Sequence, residues 1–369
     1  VNVALAFVFG FALVALATWA HLVFWTRRLT LELPYASVEE LVTPDGATIV
    51  LRRVSAPRER NPLVGPPVLL VHGLGANHRN NDLHPDYSLA RYLESKGRDV
   101  WLLTLRSGQP TSGAARRAVR FEAMVQHDLP VAIAAVRERA GSESIDYLGF
   151  SMGGMLMYAA LGRSVPEAWL RRVVLCGSPG SIGVARPLRK LVRLLPRWLV
   201  PGAPLRLVSR LVAFASEWFR TPFHGFAAND ANVPPGLTRL ALVNLVEDIP
   251  ASLQADFAGF SAVGEARVGG VATLAGLARV SVPALFVAGS ADNLAPVRSV
   301  KRAFDAWSAE QASTPKRFLA FGRSYGHEAD YGHGDLAFGA HVASEIFPTI
   351  EEFLAEERLA AGEAGATAA

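Results

Sequence analysis

The chain has 369 residues, half of them hydrophobic and 19% charged, with a mean hydropathy of +0.22 and a formal net charge of +4. That balance excludes a disordered or collagen-like chain. The single cysteine, Cys176, excludes an internal disulfide and any multi-cysteine metal site. The length equals about two average domains, although α/β folds often keep this much chain in one.

Residues 1–26 contain no Asp, Glu, Lys or Arg, and Arg27 and Arg28 end the run. A helix crosses a bilayer core with about 20 apolar residues. Trp19 and Trp25 lie toward one end, as interfacial aromatics do. Residues 1–28 are therefore expected to be a single transmembrane anchor. A cleaved signal peptide with a weak Ala15-Leu16-Ala17 cleavage site competes with it, but the apolar run is long for one and shows no basic n-region. By the positive-inside rule Arg27 and Arg28 put the globular part in the cytoplasm, as a single-pass membrane protein. The chain starts with valine, and an unseen basic stretch before it would reverse that orientation.

Short apolar runs then alternate with helical periodicity, the pattern of a mostly parallel sheet with crossover helices. Strands are expected near 48–54, 67–71, 99–104, 145–149, 172–176, 283–288 and 316–321. Helices are expected near 86–96, 121–139, 152–162, 297–309 and 340–356, where apolar residues recur at three and four spacing. The last residues, 358–369, offer nothing to bury and are expected to be disordered.

Ligands of such sheets gather beyond the C-terminal ends of the strands. Gly149-Phe150-Ser151-Met152-Gly153 stands there, after an apolar strand and before a helix. A sharp strand-to-helix turn of this G-x-S-x-G form strains the serine backbone and exposes its hydroxyl, and the flanking glycines let neighbouring chain pass. It also directs the Met152 N–H and the helix N-terminus at one spot, where a negative oxygen is stabilised. His72-Gly73-Leu74-Gly75 follows another strand, and the Leu74 N–H is the candidate second oxyanion donor. His72 is assigned a structural role, because the order expected on this architecture is Ser, then acid, then His. Asp292, on the turn after the strand near 283–288, is the candidate acid that orients the histidine, in place of a mere turn or helix cap. His327 and His333 both follow the final strand, and their position alone leaves the base open between them.

These loops, the turn at Asp292 and the stretch Asp330-Tyr331-Gly332-His333-Gly334-Asp335-Leu336 resemble α/β-hydrolases of the lipase and esterase type, over roughly residues 35–357. The final stretch is similar to the histidine motif of acid-lipase-like members. The resemblance implies His333 as the base and Asp335 as its helper. It further implies an α/β-hydrolase fold in two parts, 29–180 and 279–357, with a helical cap over 181–278. Two departures stand out: Phe150 where many relatives carry His, and Leu105-Arg106-Ser107-Gly108 in place of a commoner Arg-Gly-x-Gly, which leaves a role for Arg106 open.

Residues 168–216 hold nine Arg or Lys and no Asp or Glu, so this segment carries +9 and leaves −5 for the rest. Within it Leu188, Leu191, Val192 and Leu195 share a helical face opposite Arg189, Lys190 and Arg193, and Trp198 follows Pro196. Such a helix lies on anionic lipid or packs on the core, and the pattern fits both. No stacking or recognition module accompanies the charge, so no nucleic-acid partner is expected. Met152, Met155 and Met157, three of the four methionines, read as core packing, and Cys176 as a small buried hydrophobe.

The expected function is a membrane-anchored serine hydrolase of lipidic or other apolar carboxylic esters. Ser151, Asp292 and His333 form the triad and Leu74 and Met152 the oxyanion hole, with neither metal nor organic cofactor. A serine nucleophile disfavours the branches that attack with Asp or Cys. An acyltransferase using the same triad, or a catalytically silent membrane-tethered scaffold, are the alternatives.

Overall fold

The structure is a computed structural model and describes residues 2–55, 63–109, 113–183, 200–218 and 228–356. The expected amphipathic helix with Leu188, Leu191, Val192 and Leu195, Trp198 after it, and the tail 358–369 lie outside the described residues. Ten strands are described: β1 (Ser37–Val42), β2 (Thr48–Arg53), β3 (Val68–Val71), β4 (Val100–Thr104), β5 (Ile145–Phe150), β6 (Leu170–Cys176), β7 (Arg267–Val268), β8 (Val271–Ala272), β9 (Ala284–Gly289) and β10 (Lys316–Phe321). The longer helices are α1 (Asn2–Leu29), α2 (Leu89–Ser95), α3 (Leu129–Ala140), α4 (Met152–Ala160), α5 (Leu205–Val212), α6 (Leu237–Asn244), α7 (Ala251–Val263), α8 (Val297–Ala306) and α9 (Ile346–Ala355).

Eight strands form one sheet in the order β1-β2-β4-β3-β5-β6-β9-β10, while β7 and β8 pair as a separate hairpin. From β4 to β10 all neighbours are parallel, as the crossover pattern requires, and β2 joins β4 antiparallel with β1 antiparallel outside it. The central strands are buried along almost their whole length because both faces are covered, and apart from Asp146, Arg171, Arg172 and Thr104 they are apolar. Leu69 and Val71 point into a core shared with α3, α4 and α8, and Val68 and Leu70 into one shared with α2 and α9. Parallel pairing also brings strand ends level: Phe150 stands beside Cys176, Cys176 beside Val287 and Val287 beside Leu319.

Each expected strand falls on one of the eight, and β1 is the one not anticipated. Its sequence, Ser-Val-Glu-Glu-Leu-Val, is exposed at both valines, so an edge strand is hidden by weak alternation. Two prolines explain the helix differences. Pro130 lacks an N–H and its ring clashes with the preceding turn, and the chain over Met124–Asp128 is a π-turn before α3 begins. Pro348 is tolerated only in a first turn, so α9 starts at Ile346 and the preceding residues turn.

Just past β4, Arg106 proves to be a structural clamp. Its guanidinium donates to Asp128 Oδ1 (2.8 Å) and to Asp45 Oδ2 and Oδ1 (2.5 and 2.8 Å), binding the β1–β2 turn to the π-turn. Burial pushes the Asp128 carboxyl up, and Arg106 opposes that shift.

The final third of α1 is docked. Leu29 is buried with Ala213 and Val243, Trp25 and His21 meet the Phe214 ring at 5.9 and 4.7 Å, and His21 Nε2 lies 3.2 Å from the Leu211 carbonyl. The rest projects Phe7, Val8, Phe9, Phe11 and Leu13 outward. Leu5–Leu29 has a mean hydropathy of 2.1 over its most apolar window and is long and apolar enough to cross a membrane.

Removing the clamp leaves Asp128 buried without its cation. Arg106→Ala is expected to lose about 3–5 kcal/mol of stability. Denaturant unfolding checks this, and a loss below about 1 kcal/mol would contradict the role given to Arg106.

Candidate active site

Ser151 lies between β5 and α4 at φ 52° and ψ −114°, one of two described non-glycine residues with positive φ. Its N–H donates to the Cys176 carbonyl of the neighbouring strand at 2.8 Å, and its carbonyl accepts from Gly154 and Met155 in the new helix. The glycines leave no alternative to this turn. A Cβ on Gly149 would stand 2.5 Å from the Gly154 nitrogen, and one on Gly153 would stand 2.7 Å from the Val71 carbonyl oxygen. Contacts so short force backbone to move, so α4 packs this closely only with both glycines present.

The other expected residues converge on that hydroxyl. His333, in the loop between β10 and α9, has Nε2 2.9 Å from Ser151 Oγ and Nδ1 2.7 Å from Asp292 Oδ2. With the carboxylate fixing the Nδ1 proton, Nε2 is left to accept from the serine hydroxyl. Asp292 serves its turn as well: its Oδ1 accepts from the Leu294 and Ala295 N–H groups at 2.8 and 2.7 Å. The turn role and the histidine-orienting role thus belong to different oxygens of one buried carboxyl group.

His327 is placed elsewhere, against the Phe321 ring and the Gly322 backbone. Asp335 is buried and accepts from the Asn229 N–H (2.9 Å), Asn232 Nδ2 (2.9 Å) and the Gly332 N–H (3.0 Å), which braces the His333 loop. Phe150 packs edge-on to the His333 ring at 5.2 Å. Cys176 is buried, a setting that pushes its thiol pKa up, and Met152, Met155 and Met157 are core residues.

The Gly73–Leu74 loop lies against the serine, since a Cβ at Gly73 would stand 3.1 Å from that of Ser151. Neither Leu74 nor Met152 donates its N–H to an acceptor among the described residues. His72 stands behind this loop, fully buried. The Leu105 N–H donates to its Nε2 (3.1 Å), so Nδ1 carries the proton and donates to the Gly73 carbonyl (2.8 Å). Burial lowers its pKa from 6.5 to about 4, which keeps the ring neutral. Asn80, which accepts from the Gly73 N–H at 3.0 Å, and the asparagines holding Asp335 escaped the sequence reading. Asn229 and Asn232 meet Asp335 only when segments 106 and 103 residues apart come together, whereas Asn80 is seven residues from Gly73 and carries no local mark of its role.

The alpha/beta hydrolase fold family profile matches residues 66–339. The chain belongs to that family. Among alpha/beta hydrolases it is 27% identical over 223 residues to a tear acid lipase-like protein of Mesocricetus auratus, covering 56% of this chain and 54% of that protein. It is 28% identical over 180 residues to gastric triacylglycerol lipase of Mus musculus, covering 45% of each. The chain thus spans about half the length of these relatives. Among solved hydrolases, a thermophilic esterase from Thermogutta terrifontis superposes with a TM-score of 0.54 at 17% identity, covering 86% of this chain and 98% of that one. A bacterial membrane phospholipase A superposes with a TM-score of 0.52 at 14% identity, covering 96% of both.

The depressed pKa of His72 gives a pH signature. As pH falls from 6.5 toward 4 the unfolded chain takes up a proton at this residue and the folded chain does not, so its contribution to stability declines. The decline is about 3 kcal/mol across that window. Unfolding measured at a series of pH values should show a shallower dependence in His72→Gln, and an identical slope would contradict the buried neutral ring.

Proposed function

We propose that this chain is a membrane-anchored serine hydrolase that cleaves carboxylic esters with apolar, lipidic acyl groups. The observation that carries the reading is the continuous pair of hydrogen bonds from Ser151 Oγ to His333 Nε2 (2.9 Å) and from His333 Nδ1 to Asp292 Oδ2 (2.7 Å), at a serine held at φ 52°. The similarity to proteins named as acid lipase-like and gastric triacylglycerol lipase supports the class of substrate.

In this reading Ser151 Oγ attacks the ester carbonyl while His333 Nε2 takes its proton, and Asp292 stabilises the imidazolium. The N–H groups of Leu74 and Met152 hold the negative oxygen of the tetrahedral intermediate, where preorganised donors act without reorganising. His333 then protonates the departing alkoxide, leaving an acyl-serine and a free alcohol. Water attacks the acyl-enzyme with the same base and oxyanion donors, which releases the acid and restores the serine.

The membrane part of the proposal rests on α1 and its surroundings. Its outward face is apolar along the span, and the segment it docks against exposes Leu207, Val208, Val212 and Trp218. Residues 168–216 carry a sequence charge of +9; Arg171, Arg172 and Arg206 are paired with Asp146, Glu356 and Glu247, and the positive excess of the segment favours anionic headgroups.

Hydrolysis of p-nitrophenyl esters of increasing acyl length tests the chemistry, using the full chain in detergent. Ser151→Ala and His333→Ala are expected to lose at least about three powers of ten in kcat, and Asp292→Asn about four, by removing the carboxylate that sets the histidine tautomer. A His333→Ala variant with full activity would sink the assignment of the base. For the anchor, alkaline carbonate washing should leave the full chain in the membrane pellet. A variant with Val8, Phe11 and Leu13 changed to Asp should be extracted, because each charge at a span centre costs about 3 kcal/mol.

A further inference from the structure

The docked end of α1 and the loop beside Ser151 are joined by hydrogen bonds that neither the tether nor the triad requires. Asn244, the last residue of α6, donates from Nδ2 to the carbonyls of Leu29 (2.9 Å) and Leu240 (2.8 Å), and its Oδ1 accepts from the Leu31 N–H (2.9 Å). The Asn244 carbonyl in turn accepts from Asn77 Nδ2 (3.0 Å), and the same Nδ2 donates to Glu247 Oε1 (2.9 Å). Asn77 Oδ1 accepts from the Arg79 N–H (2.9 Å), and Arg79 Nη2 returns to the Leu31 carbonyl (2.5 Å). The bonds close a ring through Leu31, Asn244, Asn77 and Arg79.

That ring sits on the backbone that sets the direction of the Leu74 N–H. Before Leu74, the loop is fixed to the core: Gly73 donates to Asn80 Oδ1 and accepts from His72 Nδ1. After Leu74, it is fixed to the chain following α6. The Gly75 carbonyl accepts from the Glu247 N–H (2.8 Å), Ala76 bridges Val246, and the Asn77 N–H donates to the Leu245 carbonyl (3.2 Å). The far side of the loop is therefore held by residues 245–247, which directly follow Asn244.

We infer that Asn244 is a positioning residue for the reaction, coupling the end of the anchor helix to the Leu74 oxyanion donor. The inference rests on the serine-hydrolase reading above. It makes the anchor a working part of the site: the bonds of Leu29 and Leu31 to Asn244 hold the far side of the oxyanion loop in register with Ser151. A donor aimed slightly wrong loses much of its effect on a developing charge, because that effect depends on fixed geometry.

The test uses the full chain in detergent with a short, soluble ester, comparing wild type, Asn244→Ala, Asn77→Ala and the double variant. A reversible alkylboronic acid, whose tetrahedral adduct on Ser151 carries the oxyanion, reports on the loop directly. In the single variants kcat is expected to fall about tenfold with KM unchanged, and the boronic acid Ki to weaken by the same factor. The double variant should fall little further, because both residues belong to one ring. Should Asn244→Ala not fold, Asn244→Ser keeps a small polar group at the position and is read in the same way. Folded variants with wild-type kcat and Ki overturn the inference. So does a loss of thermal stability accompanied by no change in Ki. Ser151→Ala in the same assay separates the two levels: full activity there rejects the hydrolase reading itself, whereas unaltered Asn244 variants beside an inactive Ser151→Ala reject only the coupling.

Discussion

A serine at φ 52° costs about 1–3 kcal/mol relative to a relaxed backbone, and the structure around Ser151 is what keeps it there. Its N–H is tied to the Cys176 carbonyl, so β6 holds the turn from one side. Gly149 and Gly153 allow α4 and the end of β3 to close in from the others. The apolar packing of β5 between β3 and β6, on both faces of the sheet, supplies the rigidity against which this strain is held. Loss of that packing would relax the turn and withdraw the hydroxyl from the histidine.

Everything else converges on this fixed point from residues far apart in the chain. Parallel register sets the ends of β5, β6, β9 and β10 level, so Asp292 arrives three residues past β9, while His333, twelve residues past β10, is brought back by the longer loop that Asp335 braces. Polar side chains then remove the remaining freedom of those loops. Asp292 spends one oxygen on its own turn and the other on His333, and Asp335 ties the histidine loop to Asn229 and Asn232 in the segment between β6 and β9. Buried hydrogen bonds of this kind are directional, which apolar contacts are not, so they set angles where packing sets only distances.

The division between directional and non-directional forces also explains what could be read from the sequence. Strands β3 to β6 and β9 were legible because burial on both faces leaves mostly apolar runs, and the partly buried β2 and β10 because of the short runs Ile49-Val50-Leu51 and Phe318-Leu319-Ala320-Phe321. Ser151 and the glycines beside it were legible because a strained turn has to be specified within five residues. Asp292 and His333 followed from their places after strands, the choice of His333 over His327 resting on the resemblance. Edge strand β1, with two exposed valines and two glutamates, carries no such signature. Arg106 was visible as a departure, yet its partners Asp45 and Asp128 lie on different elements, and only folding pairs them. The same is true of Asn77, Asn229, Asn232 and Asn244. An asparagine is a common loop residue, and nothing local distinguishes one that caps a turn from one that joins two segments over 200 residues apart.

The manner in which α1 is attached has a consequence for the membrane reading. A tether joined through a free linker raises the local concentration of an enzyme at a surface but leaves its orientation open. Here Leu29 is buried, Leu31 is bonded at both its N–H and its carbonyl, the Pro34 carbonyl accepts from Arg91, and Tyr35 donates to Asp82. From Leu29 to Tyr35 the connection is held by side chains of the hydrolase core and of the segment between β6 and β9, which leaves little room for swivelling. On the proposed reading, a helix fixed in the bilayer therefore fixes the rest of the molecule with it, and brings the exposed Leu207, Val208, Val212 and Trp218 to the same lipid surface. Under the proposed function, orientation rather than retention alone is what such a docked helix contributes at a lipid surface.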